Sequence, residues 1–276
     1  MAFNNKFFLL RTFRTVGGRS TSTLPLILIL SIVLLAVGCG EVSKRLQGDQ
    51  TPEQVQTNNT DTNGSDPSTT ENAGNCANEY YPLDTTNVRN YRMSGSSGGT
   101  YSLRQDLADG DEFKEVRVFD SDITVTNNWV CTDEGLRMVE YTNYITMKEG
   151  AFDMETLKSS GVTLPREWKA ETEWESIYDI RANMKVANMS TSANGKITIT
   201  HRIVSLDDKV TAGGKEYTAA RIDSLMSMDL TVKGVKVPDP KISTSNWYAN
   251  GVGLVRQEVG GSLGKQTVEF TGRDAR

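Results

Sequence analysis

Beyond residue 80 the chain runs in short stretches where apolar and polar residues alternate. Examples are Glu115-Val-Arg-Val-Phe119, Leu136-Arg-Met-Val-Glu-Tyr141, Lys196-Ile-Thr-Ile-Thr-His-Arg-Ile203 and Gln266-Thr-Val-Glu-Phe270. Each puts its apolar residues on one face, as a half-buried antiparallel strand requires. Glycine pairs punctuate the runs: Asp109-Gly110, Glu134-Gly135, Asn194-Gly195, Gly213-Gly214 and Gly260-Gly261. Of these, Asn194-Gly195 is the best hairpin candidate. No helical period is sustained after Val37, and residues 150–160, GAFDMETLKSS, are the place for one short helix. The pattern predicts an all-β, mainly antiparallel fold, a curved sheet or half-barrel of roughly 8–11 strands with at most one or two short helices. No fixed-period repeat is visible, which argues against a propeller or solenoid.

The amino terminus is patterned differently. Leu24 to Val37, LPLILILSIVLLAV, is an uncharged apolar run of 14 residues. As a helix it would span about 21 Å, short of the roughly 30 Å hydrocarbon core of a bilayer. Lys6, Arg11, Arg14 and Arg19 precede it without any acid. A cationic head before a short apolar stretch is the layout of a secretory signal peptide. No Arg-Arg pair stands in that head, which favours general secretion over the twin-arginine route. The run ends in Ala36-Val37-Gly38-Cys39, which resembles the lipobox of bacterial lipoproteins, with Ala36 where Leu is commonest. The resemblance implies cleavage between Gly38 and Cys39, and a diacylglyceryl thioether on the Cys39 sulfur. Two or more acyl chains anchor a protein stably where one does not. The partner so implied is a membrane, reached through lipid on Cys39. Gly40 stands where some such proteins carry an Asp that retains them at the inner membrane. The implied location is therefore the cell envelope, on the extracytoplasmic side. That means the outer membrane in a two-membrane bacterium, or the outer face of the cytoplasmic membrane otherwise.

Residues 40–75 hold no aromatic residue and almost no aliphatic one. Such a segment cannot bury enough apolar surface to offset the entropy of ordering it. As a flexible coil it would reach about 30–35 Å. At Cys76 the composition changes, and every Trp and Tyr lies beyond that point. The chain thus divides into a signal peptide (1–38), a lipidated Cys39 with a disordered polar tether (39–75), and a β domain (76–276). Some 200 residues suffice for one core.

Charge and chemistry narrow the function. The whole chain has a formal charge of −5, and the cationic head leaves 26 basic and 35 acidic residues for the rest. That balance argues against nucleic acid as a partner. One His, His201, and three Cys exclude most imidazole catalysis and any zinc cluster built within one chain. No GxSxG, HExxH, Walker or EF-hand pattern occurs, so neither a cofactor nor a metal is expected. Asp120-Ser-Asp122 and Asp207-Asp208 read as turn or solvated carboxylates rather than a calcium loop. Glu167, Glu171, Glu173 and Glu175 crowd around Trp168 and Trp174. Carboxylates beside aromatics can hydrolyse glycosides, yet alternating Glu on a solvent face with Trp in the core is the simpler reading. His201 reads as an ordinary surface or core-edge residue. Cys76 and Cys131 are the remaining thiols, and export permits a disulfide between them. Two separate buried thiols are the alternative.

Several short motifs add a resemblance. Tyr80-Tyr81-Pro82-Leu83 with Tyr91, Leu164-Pro165-Arg166-Glu167-Trp168 with Trp174, and Asn246-Trp-Tyr-Ala-Asn-Gly-Val-Gly-Leu-Val255 resemble those of a bacterial envelope domain family of unknown function. Asn246 and Asn250 replace that family's usual aromatic and Pro. Some members are similar to half-barrel lipoprotein carriers, in which a curved antiparallel sheet cups a lipid chain. The resemblance implies a fold and supplies no catalytic residues. Within the chain itself, Gly251 and Gly253 read as a strand–turn–strand corner where positive φ or close packing needs glycine.

The leading functional expectation is a non-catalytic, membrane-anchored lipoprotein whose β domain binds an apolar ligand, a polymer or a protein partner. The alternatives are a structural or assembly component of the envelope and, last, a cryptic hydrolase. An apolar cavity in the sheet would favour the first form, and carboxylates about 5–9 Å apart in a cleft would favour a hydrolase.

Overall fold

The computed structural model describes residues 76–276, apart from 97, 122, 142, 143, 147–150, 187, 188, 233, 237, 240, 262 and 263. The described residues form one antiparallel sheet and contain no helical element. In chain order the strands are β1 (Asn87–Gly95), β2 (Gly99–Leu107), β3 (Glu112–Phe119), β4 (Thr124–Thr132) and β5 (Gly135–Met138). Next come β6 (Tyr144–Thr146), β7 (Ala151–Gly161), β8 (Leu164–Pro165), β9 (Glu173–Val186) and β10 (Met189–Ala212). The last five are β11 (Lys215–Val232), β12 (Val235–Lys236), β13 (Ile242–Ala249), β14 (Gly253–Gly261) and β15 (Gln266–Ala275). Eleven of them have eight residues or more, and the other four are short.

Meander connections dominate, with the two chain ends joined in the middle. The order is β7-β9-β10-β11-β13-β14-β15-β1-β2-β3-β4-β5-β8, with β12 on β11 and β6 on β4. Strands β7 and β8 stand at opposite ends of that order, yet only Val162 and Thr163 separate them in sequence. The sheet must therefore curl until its ends meet there. The Thr163 N–H donates to the Leu136 carbonyl at 2.8 Å, and Thr163 Oγ1 accepts from the Met138 N–H at 2.9 Å.

Curling makes one face an interior. Tyr91, Tyr101, Trp247, Val255, Val268 and Phe270 pack at one level. Phe113, Trp129, Leu136, Ile203 and Ile222 pack around Cys76 and Cys131. Tyr178, Ile180, Ile197, Met228 and Ile242 fill a third level. Strand β10 crosses all three through Ile197, Ile203 and Val210. Register shifts between Ile203 and Asp208 let so long a strand bend.

Three expectations are corrected. Residues 150–160 are not helical: β7 pairs with β9 from Ala151↔Lys185 to Gly161↔Ser176. Met, Glu, Leu and Lys are good helix formers, but propensity differences are fractions of a kcal/mol per residue and pairing along a whole strand outweighs them. Asn194-Gly195 is not a turn but lies inside β10, with Gly195 opposite both Ile180 and Leu230. A Cβ there would stand 2.4 Å from the Asp229 carbonyl oxygen, so glycine serves close strand approach. In β3 the expected sorting fails, for Glu115 and Val116 are both buried. Glu115 is fully buried while Val118 is 40% exposed, because the interior offers Glu115 donors from Tyr81, Arg117 and Asn127.

The segment before β1 crosses this interior as a strap. Cys76 and Cys131 are joined by a disulfide, their Cα atoms 4.9 Å apart. Asn78 Oδ1 accepts from the Tyr80 and Tyr81 N–H groups at 3.1 and 3.0 Å, and its Nδ2 donates to the Pro165 carbonyl. Asp84 binds the N–H groups of Thr86 and Asn87, turning the chain into β1. Closing a loop of this length stabilises by about 4 kcal/mol in the chain-entropy model. Replacing both cysteines by Ala should therefore cost about 2–4 kcal/mol in denaturant unfolding. An unchanged midpoint would show that the strap holds without the bond.

Candidate functional site

The three motifs quoted above converge at the strap. Tyr80 lies 4.5 Å from Trp168, Trp168 lies 5.6 Å from Tyr248, and Tyr81 lies 5.5 Å from Trp129, centroid to centroid. Gly251, in the left-handed turn at φ 68°, donates its N–H to the Glu79 carbonyl at 2.8 Å. Burial raises the pKa of the Tyr91, Tyr101 and Tyr248 phenols, so they stay neutral. The motifs build one aromatic end to the core, whose role is packing.

A polar row interrupts the apolar interior further along. Trp174, His201, Ser224 and Thr244 are register partners on β9, β10, β11 and β13. His201 is buried and stacks on Trp174 at 5.1 Å. Its hydrogen-bond directions follow from counting protons. Ser176 Oγ donates its only hydrogen to the Val162 carbonyl at 2.7 Å. His201 Nε2, 3.1 Å away, must therefore donate to Ser176 Oγ. That leaves Nδ1 as an acceptor, and Ser224 Oγ donates to it at 2.8 Å. The imidazole is neutral, and burial pushes its pKa down to about 4. A base this weak, backed by a hydroxyl instead of a carboxylate, gives Ser224 little activation. The parity of His201 with Ile197 and Ile203 was the sequence signal for its burial. Its pairing with Trp174 and Ser224 was not readable locally.

On the opposite face of the same four strands lies a groove of about 550 Å³. Three consecutive residues from each strand line it: Glu173–Glu175, Thr200–Arg202, Asp223–Leu225 and Ser243–Ser245. The middle residue of each triplet belongs to the His201 row and points inward, so its backbone forms the floor. The flanking residues rise as walls. Along one wall Arg202 pairs with Glu171 and, at 3.7 Å, with Glu173. Beside them Ser245 Oγ donates to Asp223 at 2.7 Å, and Arg221 forks the same carboxylate at 2.8 and 2.9 Å. The other wall carries Glu175, Thr200, Leu225 and Ser243, and Glu175 has no partner among the described residues. Glu171 (φ 68°) and Lys241 (φ 44°), the two non-glycine residues with left-handed backbone among the described residues, sit in the connections just before β9 and β13. Strain of this kind is held at functional sites where surrounding contacts fix it.

The remaining predicted positions are placed as follows. Gly38, Cys39 and the tether lie outside the described residues. Asp120 accepts from the Thr100 N–H at 2.8 Å, and Asp208 accepts from Trp247 Nε1 at 3.2 Å. Glu173 and Glu175 are exposed beside a half-buried Trp174. Among the described residues no group of three or more His, Cys, Asp or Glu is arranged to hold a metal. Sequence reasoning noticed Glu173 and Glu175 but missed Thr200, Ser243 and Ser245, which carry no motif and meet only through strand register.

The chain belongs to the DUF3108-like family, whose model matches residues 112–266. Among solved structures it is similar to a candidate lipoprotein of Parabacteroides distasonis, with 11% identity and a TM-score of 0.46. That match covers 71% of this chain and 99% of the other. A candidate exported protein with a YmcC-like fold from Bacteroides fragilis matches at 11% identity and a TM-score of 0.45, over 72% and 100% of the two chains. The hypothetical lipoprotein YmcC of Escherichia coli matches at 8% identity and a TM-score of 0.38, over 68% and 84%. No curated protein matches the sequence.

The buried neutral imidazole makes stability depend on pH. An unfolded His takes up its proton near pH 6.5, whereas the folded one waits until about 4. The contribution of His201 to stability is thus fully present above pH 6.5, is lost as pH falls, and levels off below pH 4. The loss is about 3 kcal/mol over that window. His201→Gln should flatten this slope in denaturant titrations between pH 7 and pH 4, and an unchanged slope would place the transition elsewhere.

Proposed function

We propose that the protein is a lipid-anchored, extracytoplasmic binding module that holds an extended polar polymer in the groove across β9, β10, β11 and β13. The anchor half of this reading is supported by the apolar run Leu24–Val37 ending in Gly38-Cys39, and by the polar composition of residues 40–75. Together they describe a domain on a flexible leash, attached to a membrane through Cys39.

The ligand half is carried by one observation, the composition of the groove. Its floor is backbone, and its walls present hydroxyls, carboxylates and one guanidinium, with Leu225 as the single large apolar side chain on them. Such walls exchange hydrogen bonds with hydroxyl- or amide-rich chains, and the aliphatic stems and backbone carbons between them give the sugar or peptide units of such a chain apolar surface to lie on. The groove lies across four adjacent strands, which suits a segment of a longer polymer. The inward face described so far is instead filled by aromatic and aliphatic side chains.

Sheared peptidoglycan and a neutral soluble glucan are the probes for this reading. The combined variant Glu175→Lys and Ser243→Tyr fills the groove and reverses a wall charge, on side chains that point to solvent. Binding to the recognised polymer should fall at least about tenfold, the equivalent of one or two lost polar contacts, with the unfolding temperature unchanged. Equal binding by the variant and the natural chain would place the ligand site elsewhere.

A further inference from the structure

The strap covers a part of the interior that is charged. Three guanidiniums and two carboxylates meet there among the described residues. Arg117 pairs with Glu115 at 2.7 Å, and Arg273 stands 3.8 Å from Asp84. Arg89 is 1% exposed and forms no ion pair among the described residues. Its Nη2 donates to the Pro82 carbonyl at 2.6 Å, and the Tyr81 ring lies 5.8 Å from its Cζ. Its Nε and Nη1 are buried with no acceptor among the described residues. Gln105, also 1% exposed, is in the same position. Its Oε1 accepts from the Asp84 N–H at 2.9 Å, while its Nε2 has no acceptor among the described residues.

These groups are neighbours. Arg89 is opposite Leu103 across β1 and β2, and Gln105 follows two residues later on the same face. Diagonal partners of this kind have Cα atoms about 7–8 Å apart, within reach of long side chains. Both side chains also bind the same short stretch of strap, at Pro82 and Asp84. Gly253 packs closely on the guanidinium and brings no side chain to it: a Cβ there would stand 3.3 Å from Arg89 Nη1, a crowded contact. Arg273, opposite Arg89 on β15, feels the surplus charge, and its pKa is lowered by burial and then by Arg89.

Everything lacking is of one kind: hydrogen-bond acceptors and a single negative charge. We propose that the strap closes over one small monovalent anion, of halide or carboxylate chemistry, held by Arg89 and Gln105. Ordered water alone would meet the hydrogen-bond demand and leave the charge unbalanced. An anion meets both. Because the donors are enclosed, binding is coupled to folding and is read as stability.

Bromide and acetate are the probes, each replacing methanesulfonate at constant ionic strength with the folded chain. As bromide rises, the unfolding temperature should climb by about 2–4 °C and then saturate. Crystals grown in bromide should show an anomalous peak beside Arg89 and Gln105. Gln105→Glu supplies the negative charge covalently and keeps Arg89 in place, so its unfolding temperature should no longer respond to bromide. A saturable response to acetate as well would extend the site from halides to carboxylates. Absence of the anomalous peak with no saturable response to either anion overturns the proposal, as does a bromide response that survives Gln105→Glu.

Discussion

A single β-sheet has two faces, and the described residues contain no helix to cover either of them. One face must still leave water, because a full-length set of Tyr, Trp, Phe, Ile and Val side chains projects from it. The molecule meets this constraint by curling the sheet on itself and drawing its own N-terminal segment across the interior. Each large side chain so buried contributes on the order of 1.5–3 kcal/mol. The curl comes from the long, bent β10 and from the two-residue step between β7 and β8. The cover comes from Cys76 to Thr86, fixed at one end by the disulfide and at the other by the Asp84 turn.

The polar side chains inside follow from that cover. Glu115 is a carboxylate with no exposure, and Tyr81, a strap residue, is one of its donors. Losing a donor to a buried charge costs about 1–3 kcal/mol or more, so strap and interior fix each other. The His201 row behaves differently. Its hydrogen bonds run from Ser224 through His201 and Ser176 to the Val162 carbonyl and require nothing from the strap. Its effect is to tie β9, β10 and β11 together, and the register of these strands with β13 assembles the groove on their outer face.

Much of the fold is legible in the sequence because period-two alternation reports half-buried strands directly. Val268 and Phe270 point inward as their run predicts. The failures have physical causes. Gly195 follows Asn as in a hairpin, yet it serves strand approach to Asp229. Glu115 and Arg117 sit on the inward face of β3 because partners more than ten residues away in sequence satisfy the carboxylate. The motifs at Tyr80, Trp168 and Tyr248 read as separate signals, and only the topology shows that they are one aromatic cluster. The groove was the least legible feature, since hydroxyl residues on four strands carry no spacing rule.

The central claim is that the strap completes the core. The direct measurement is equilibrium denaturant unfolding of a chain lacking residues 76–86, followed by tryptophan fluorescence and far-ultraviolet circular dichroism together. With the strap removed, Glu115, Arg89 and Gln105 lose their covering partners, and Trp129 and Trp168 lose Tyr81 and Tyr80. The account predicts that the shortened chain keeps β structure but loses a single cooperative transition, with the two probes no longer coinciding. A sharp, coincident transition at the midpoint of the complete chain would contradict it.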